Sequence, residues 1–510
     1  MNNRSLASVK CGTALGLLMA PGAAFADISH ADVWANLSSY VSTVGGVLTA
    51  DTSSVGGTTS YDNITASFNL PLGSGTLSIK TGSLDMTETA DGLVEIRYPE
   101  TVEMQVDFVI HGETSGSLTG TGTSANQITI ASGAAGDITY EYSADSYAFT
   151  IGDVQIERMP ADLFDLTGQM TMNGVFAKAT ITQGNLIQIT GESFYEDYVM
   201  EYSLVSPDMG DQSSVQTGKD VSAEYALMLP TGGMSVMNLA AALRDGLSIT
   251  ATTESGAMSA RGNQQDPMIG TINTDFTASG SDMELRFDQD GLAIDATATG
   301  YDITAELPEM LPFPISAKID GAEMGYEMPL SSQDAPGAYG MLISLAGLSV
   351  DESLWGMVDP TGQLPHDPAD LTIDISGNVA VLQDLLDIEK MAMADAPPVE
   401  LRDMTINSLL LSIAGAEFTG AGSFSFDNSD YATFDGIPAP TGALDLQLIG
   451  GNGLMDKLVA MGLLPQEQAM GARMMMGLFA TPGEGEDSLT SKIEIDGATG
   501  AISANGQRLP

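Results

Sequence analysis

Strict alternation of apolar and polar residues is the feature that most constrains the fold of this chain. Within residues 101–110, every second residue is apolar: Val102, Met104, Val106, Phe108 and Ile110. Successive side chains of a strand point to opposite faces, so this pattern predicts a strand with one apolar face and one wet face. Similar short runs recur along the chain at intervals of about eight to twelve residues, which is typical of an antiparallel meander.

The predicted strands are short, and Gly, Asn and Asp separate them. Besides 101–110, we predict strands at 61–70, 92–98, 137–142, 147–156, 167–172, 176–181, 186–190 and 198–204. Two-residue turns are predicted at Asp91-Gly92, Asp290-Gly291, Asp320-Gly321 and Asp496-Gly497.

Helical periodicity interrupts this pattern at a few places. The first predicted helix starts at Ile28, with Ser29 as its cap and Gly45-Gly46 as its end. Others are predicted at Val236–Leu243, from a cap at Asn378 to Met393, from Asn452 to Met461, and at Gln466–Phe479. Helices this sparse cannot form a bundle of their own. We therefore predict a β-rich α+β fold, with extended antiparallel meander sheets and a few amphipathic helices packed on one face.

Proline-rich composition between residues 307 and 337 suggests a boundary near residue 330. The predicted parts are a strand-dominated part at 27–330 with the N-terminal helix, and a smaller α+β part at 331–510. The second part holds the C-terminal helical pair and the closing strands.

Residues 1–26 have the composition of a secretory signal peptide. Arg4 and Lys10 are positively charged, Cys11–Ala20 is apolar, and Ala24-Phe25-Ala26 is a small-x-small cleavage site. The chain is therefore predicted to be periplasmic or secreted, and its mature form to lack cysteine and disulfides. No later apolar run is long enough for a transmembrane helix.

The charge of the chain excludes one class of partner. It has 67 Asp+Glu against 17 Lys+Arg, for a net charge of −50, which becomes −52 when Arg4 and Lys10 are removed. Binding to nucleic acid requires a basic surface, so no nucleic-acid partner is expected. Acidity of this degree is also typical of general adaptation to salt, and does not indicate a function.

The sequence contains none of the common catalytic motifs, and we predict no catalytic residue, cofactor or metal ligand. The three histidines, His30, His111 and His366, have no second histidine at a ligand spacing. Asp288-Gln289-Asp290-Gly291 resembles the start of a calcium loop, but a hairpin is the favoured interpretation. Carboxylates alone can hydrolyse glycosides, yet no pair stands out, so the chain is not predicted to be an enzyme.

Methionine is unusually frequent, with 29 in the chain. Met fills irregular cores, and it also lines surfaces that accept varied apolar ligands. The hypothesis that follows is a groove between sheet and closing helices for lipid-like or apolar ligands, lined by Met455, Met461, Met470 and Met474. The alternative is an acidic structural or surface protein, stabilised by calcium, without a small-molecule site.

Several segments resemble a known family. They are residues 354–377, 460–477, 485–496 and 504–510, together with Asp32-Val33-Trp34. In these segments the chain is similar to exported Gram-negative bacterial proteins of the DUF2125 type, a domain of unknown function, over nearly the whole mature chain. The resemblance implies export, and the ending is similar to envelope-maintenance proteins. It supplies no reaction, cofactor or site residue.

Overall fold

The computed structural model describes residues 28–70, 75–110, 114–157, 165–206, 210–232, 234–235, 237–394 and 396–509. The predicted signal peptide, His111 and Val236 lie outside the described residues. The described part is β-rich, with 64% strand and 12% helix, and its strands pair antiparallel as predicted.

Long strands dominate the chain. The first twelve are β1 (Gly46–Val55), β2 (Thr58–Asn69), β3 (Gly75–Thr81), β4 (Leu84–Glu88), β5 (Val94–Arg97), β6 (Thr101–Ile110), β7 (Thr114–Ala125), β8 (Ile128–Ala134), β9 (Asp137–Ile156), β10 (Asp165–Thr182), β11 (Leu186–Val205) and β12 (Gln212–Pro230). The next eight are β13 (Ser248–Ser255), β14 (Met258–Asp266), β15 (Gly270–Ala278), β16 (Gly280–Asp288), β17 (Gly291–Glu306), β18 (Ile315–Met328), β19 (Gly337–Val350) and β20 (Ala369–Val381). The last seven are β21 (Val399–Ile413), β22 (Ala416–Asp427), β23 (Ala439–Ile449), β24 (Thr481–Pro482), β25 (Ser488–Asp496), β26 (Ala501–Ala504) and β27 (Gln507–Arg508).

Six helices occur in the described part. They are α1 (His30–Thr43), α2 (Leu239–Arg244), α3 (Glu352–Val358), α4 (Ile388–Ala392), α5 (Gly451–Ala460) and α6 (Gln466–Phe479).

The strands form one hydrogen-bonded sheet that follows the chain order closely. From β9 to β12, and again from β17 to β23, each strand pairs with the next. Elsewhere two shorter strands share one long neighbour, as β13 and β14 do along β12. The predicted boundary near 330 falls between β18 and β19, which pair with each other; the division into two parts stays a prediction.

The strand pattern was predicted correctly, but several strand lengths were wrong. The runs 137–142 and 147–156 both belong to β9, 167–172 and 176–181 to β10, and 186–190 and 198–204 to β11. Each predicted gap marks a change in the phase of the alternation rather than an end of the strand. In β10, for example, apolar residues occupy Met170 and Met172, and then Val175, Ala177 and Ala179.

A line of left-handed residues explains this change of phase. We call it the crease and define it by six positive-φ residues: Asn63, Asn126, Gly174, Asp220, Gly300 and Gly347. The register places acidic residues opposite several of them, with Asp145 facing Gly174 and Asp320 facing Gly300. A single residue of this kind re-aims the side chains that follow it, as bulges do. Apolar residues that are three positions apart across the crease, such as Met172 and Val175, therefore lie on the same face of the sheet.

Helix α1 is capped as predicted, and α1 and α2 both contribute buried side chains to apolar clusters. Ser29 caps α1 and forms a capping box with Asp32, while Gly45 and Gly46 follow its end. Trp34 stacks on Tyr61 of β2, with ring centroids 4.4 Å apart. Val33 is fully buried against strand residues, and Leu243 of α2 is buried in a second apolar cluster. Burial of these side chains stabilises the packing of α1 and α2 on the strands.

Three local predictions were wrong. Asn378 does not cap a helix: it lies in β20, where its amide bonds Asp403 of β21 at 3.1 Å. The helix that follows is the much shorter α4, which Asp387 caps through Lys390 N. Asp320-Gly321 is not a turn, because it lies at the crease within β18. In addition, α3 was not predicted, although Asp351 accepts from Leu354 N as its N-cap.

Asp384 joins α2 to two loops, and it carries a testable pH dependence. Its Oδ1 accepts hydrogen bonds from Arg244 Nη1 at 2.9 Å and from Ser332 N and Oγ at 3.0 Å. Burial raises the pKa of Asp384, but the bonds from Ser332 and Arg244 outweigh burial and hold this pKa below its ordinary value of 3.8. We expect Asp384→Asn to lower the free energy of unfolding at pH 7 by about 1–2 kcal/mol, because the charged acceptor is lost.

The sign of the pH effect follows from the lowered pKa. The stabilisation by Asp384 is complete above the pKa of the unfolded state and is lost as the pH falls through the lower folded pKa. Melting temperatures measured from pH 7 to pH 3 should therefore converge for wild type and Asp384→Asn at the acidic end. Asp245→Asn, at an exposed carboxylate next to α2, is the control. A constant difference across this range would contradict the assignment.

Candidate apolar binding face

One face of the sheet is apolar from strand to strand. Paired residues of neighbouring antiparallel strands lie side by side on the same face. Following the pairs from β5 to β26 gives a row that we call the apolar row. Its members are Val94, Ala131, Tyr140, Ala179, Gly191, Tyr225, Ala251, Leu285, Ile294, Tyr326, Met341, Ile375, Ile406, Gly422, Leu444, Ile493 and Ala504. No member carries a charge.

The opposite face of the sheet is mostly polar and charged. It is formed by residues that neighbour the apolar row in sequence. Its corresponding row, the polar row, runs from β9 to β21 through Glu141, Lys178, Glu192, Glu224, Thr252, Glu284, Asp295, Gly325, Leu342, Asp374 and Ser408. Lys178 lies 2.8 Å from Glu141, and the bond and charge of Glu141 raise the pKa of Lys178. The sheet therefore separates the charges of an acidic chain onto one side.

The apolar face is open in its middle part. Five large side chains on β16, β18 and β19 are between 37% and 50% exposed: Met283, Met324, Tyr326, Met341 and Ile343. Met283 and Met324 both pair with Ala296 of β17, and Met324 also pairs with Ile343, so the four strands β16 to β19 present one continuous surface. Contiguous apolar surface of this kind marks a binding site or an interface.

Aromatic rings lie across glycines of neighbouring strands on this face. A Cβ built on Gly218 would stand 2.2 Å from the ring of Tyr198, and one on Gly191 would stand 2.4 Å from the ring of Tyr225. Tyr339 covers Gly377 in the same way. Such pairs let a large ring cover the neighbouring strand instead of standing upright. The rings therefore extend the apolar surface across neighbouring strands.

The four methionines of the predicted groove lie on the closing helices. Met455 and Met461, in and just after α5, are partly buried, whereas Met470 and Met474 of α6 are 63% and 69% exposed. The helices contact each other, and α5 contacts β22. A groove lined by these four residues stays a prediction. Sequence reasoning missed the exposed strand residues, because their common surface depends on pairing between distant segments.

The other residues singled out in the sequence have structural surroundings. His30 Nδ1 lies 3.1 Å from the Tyr61 hydroxyl, and His366 stacks on Trp355 with centroids 4.2 Å apart. Asp288 accepts from Asp290 N in the hairpin between β16 and β17, as the turn interpretation predicts. Asp487 accepts from Asn452 N and Gly453 N at the start of α5. Within the described ranges, no group of three or more His, Cys, Asp or Glu residues is placed to hold a metal ion.

Arg402 and Arg473 form ion pairs within the chain. Arg402 lies 2.7 Å from Glu400, and Arg473 lies 2.5 Å from Asp456. None of the helices in the described part is long and apolar enough to cross a membrane.

Comparison with known proteins gives a family and no curated relative. No curated protein matches the chain. The sequence profile of one bacterial family matches residues 229–506, which is more than half of the chain. The match begins at the end of β12 and includes most of the segments that carry the resemblance, but Asp32-Val33-Trp34 lies outside it. The chain belongs to the family described as "Uncharacterized protein conserved in bacteria (DUF2125)".

Proposed function

We propose that this chain is an exported, non-catalytic envelope protein that binds lipid-like or other apolar molecules on the apolar face of its sheet. The observation that carries the proposal is the uncharged apolar row beside an open surface at Met283, Met324 and Ile343. Export rests on the signal-like composition of residues 1–26, and a periplasmic site of action follows from it.

The dimensions of the apolar row favour elongated ligands. The row crosses seventeen strands, and at the usual strand spacing this corresponds to a path of about 77 Å. An acyl chain gains free energy from every methylene group it removes from water, at roughly 0.8 kcal/mol each. A long, uncharged surface therefore suits extended hydrocarbon better than a compact polar metabolite.

The helices fit this function as partial covers. In our proposal they pack on the apolar face and leave its middle open. Tyr61, Met86, Ile96 and Ile138 are buried with α1, and Ile181, Ile187 and Ile189 are buried with α2. The open segment around β16–β21 is then the place where a ligand enters.

The direct test is recovery of ligand with the purified protein. Native mass spectrometry of protein from its expression host should show co-purified lipid, and the delipidated protein should bind a fluorescent fatty acid. Absence of both would remove the proposal. Melting that depends on calcium, without any lipid binding, would instead support the acidic structural protein.

A further inference from the structure

One hydroxyl on the apolar face is buried without a partner. Thr129 of β8 is 7% exposed, and its Oγ1 has no hydrogen-bond partner among the described residues. Thr129 pairs with Ile96 on one side and with Tyr142 of β9 on the other. An unpaired buried hydroxyl is unfavourable and uncommon in native proteins. It therefore points to a group that the protein binds at this place.

Two phenols lie beside Thr129. Tyr142 is its register partner, and Tyr98 follows the end of β5, where Gln127 Nε2 donates to the Tyr98 carbonyl at 2.8 Å. Burial, and then the neighbouring hydroxyls of Tyr147 and Tyr98, raise the pKa of Tyr142. Neither the Tyr98 hydroxyl nor the Tyr142 hydroxyl has a hydrogen-bond partner within the described ranges. Three hydroxyls are thus available in one area.

The surroundings of these hydroxyls are uncharged. The register partners on the same face are Ile96 and Ala177. Tyr140, two residues from Tyr142 on the same face, uses its hydroxyl to donate to Asn36 Oδ1 of α1 at 3.0 Å. With no cation among these neighbours, and a strongly acidic chain around them, a phosphate or carboxylate would lack a counter-charge. An uncharged oxygen acceptor fits instead.

We propose that Thr129, Tyr142 and Tyr98 form a head-group site for an uncharged amphiphile of the acylglycerol type. Its ester or hydroxyl oxygens bond to the three hydroxyls, and its hydrocarbon chain lies along the apolar row. The proposal rests on the proposed function and specifies its ligand. The site lies where α1 borders the sheet, so one end of the ligand is fixed while the chain extends toward the open strands.

Selective removal of the hydroxyls tests this assignment. Delipidated wild type and the variant Thr129→Val/Tyr98→Phe/Tyr142→Phe are compared by displacement of an uncharged fluorescent probe. The competitors are monooleoylglycerol, oleate and 1-octadecene. Wild type should prefer monooleoylglycerol, and the variant should bind it about five- to twentyfold more weakly, since hydrogen bonds are lost. Binding of 1-octadecene should change less than twofold.

Two further variants separate a head-group site from a general loss of structure. Tyr431→Phe removes a phenol from the loop between β22 and β23, outside the apolar row, and should leave the preference unchanged, while Thr129→Ser with both tyrosines intact should keep it. The triple variant should melt no lower than wild type, because a buried unpaired hydroxyl has been removed. Equal binding of monooleoylglycerol by wild type and triple variant would overturn the site. If not even 1-octadecene binds wild type, the proposed function itself fails.

Discussion

A glutamate at Ile343 is expected to weaken binding of an uncharged apolar ligand by about tenfold or more, because a carboxylate covered by hydrocarbon loses its hydration without gaining a partner. Ile343 of β19 is 37% exposed and lies between Met324 and Ile373 of the neighbouring strands. The apolar row passes through Met341, two residues from Ile343 on the same strand, and contains no charged residue. Nothing in that row therefore compensates the new charge. The measurement is a titration with an uncharged fluorescent apolar probe.

Ser344→Glu is the matched control for this prediction. Ser344 is the next residue of the same strand, and its side chain lies on the opposite face, where its hydroxyl is 3.4 Å from Thr372 Oγ1. Both variants add one negative charge to a chain of net charge −50. General electrostatic repulsion therefore affects them equally. A similar loss of binding in both variants would mean that the apolar face is not the binding surface.

The local fold was predictable from sequence where only near neighbours decide it. β6 has the predicted bounds, and α1 begins after the predicted cap Ser29, because alternation and capping are local. The length of β10 was not predictable in the same way. Gly174 changes the phase of the alternation between Met172 and Val175, so one long strand reads as two short ones.

The proposed binding face was harder to predict than the strands themselves. Ile375 and Ile406 become neighbours only through the register of β20 and β21, which has two irregular steps. A one-residue slip would turn one set of side chains to the other face, and local sequence does not fix such a register. The methionine content predicted a groove at the closing helices, whereas the uncharged surface runs along the strands. Thr129 gave no signal at all, since its burial depends on distant segments.

The crease is expected to tolerate no branched side chain at its left-handed glycines. Gly300 and Gly347 have φ values of +64° and +69°, which valine adopts only with strain. A Cβ would stand 2.3 Å from Ser279 Oγ at Gly300 and 2.3 Å from Asp320 Oδ2 at Gly347. We expect Gly300→Val and Gly347→Val each to lower the free energy of unfolding by about 1–3 kcal/mol. Urea denaturation measures the effect.

Gly321→Val is the control for strain at the crease. Gly321 follows Asp320 in β18, has no positive φ, and its Cβ would lie 4.0 Å from the nearest atom, the Ala298 carbonyl oxygen. Valine is favoured in strands, so this variant should be neutral or stabilising. Equal destabilisation at Gly321 would show that the crease imposes no special backbone conformation.

The same variants connect the crease to ligand binding. In β19 the apolar side chains Ile343 and Leu345 precede Gly347, and Leu348 and Val350 follow it at the changed phase. If residue 347 takes an ordinary extended conformation, Leu348 and Val350 turn toward the polar face, because alternation then continues without the change of phase. Gly347→Val should therefore also weaken binding of an uncharged apolar probe, under conditions where the variant remains folded, while Gly321→Val should not. If the crease contributes only to stability, folded Gly347→Val and folded Gly321→Val should bind the probe equally well.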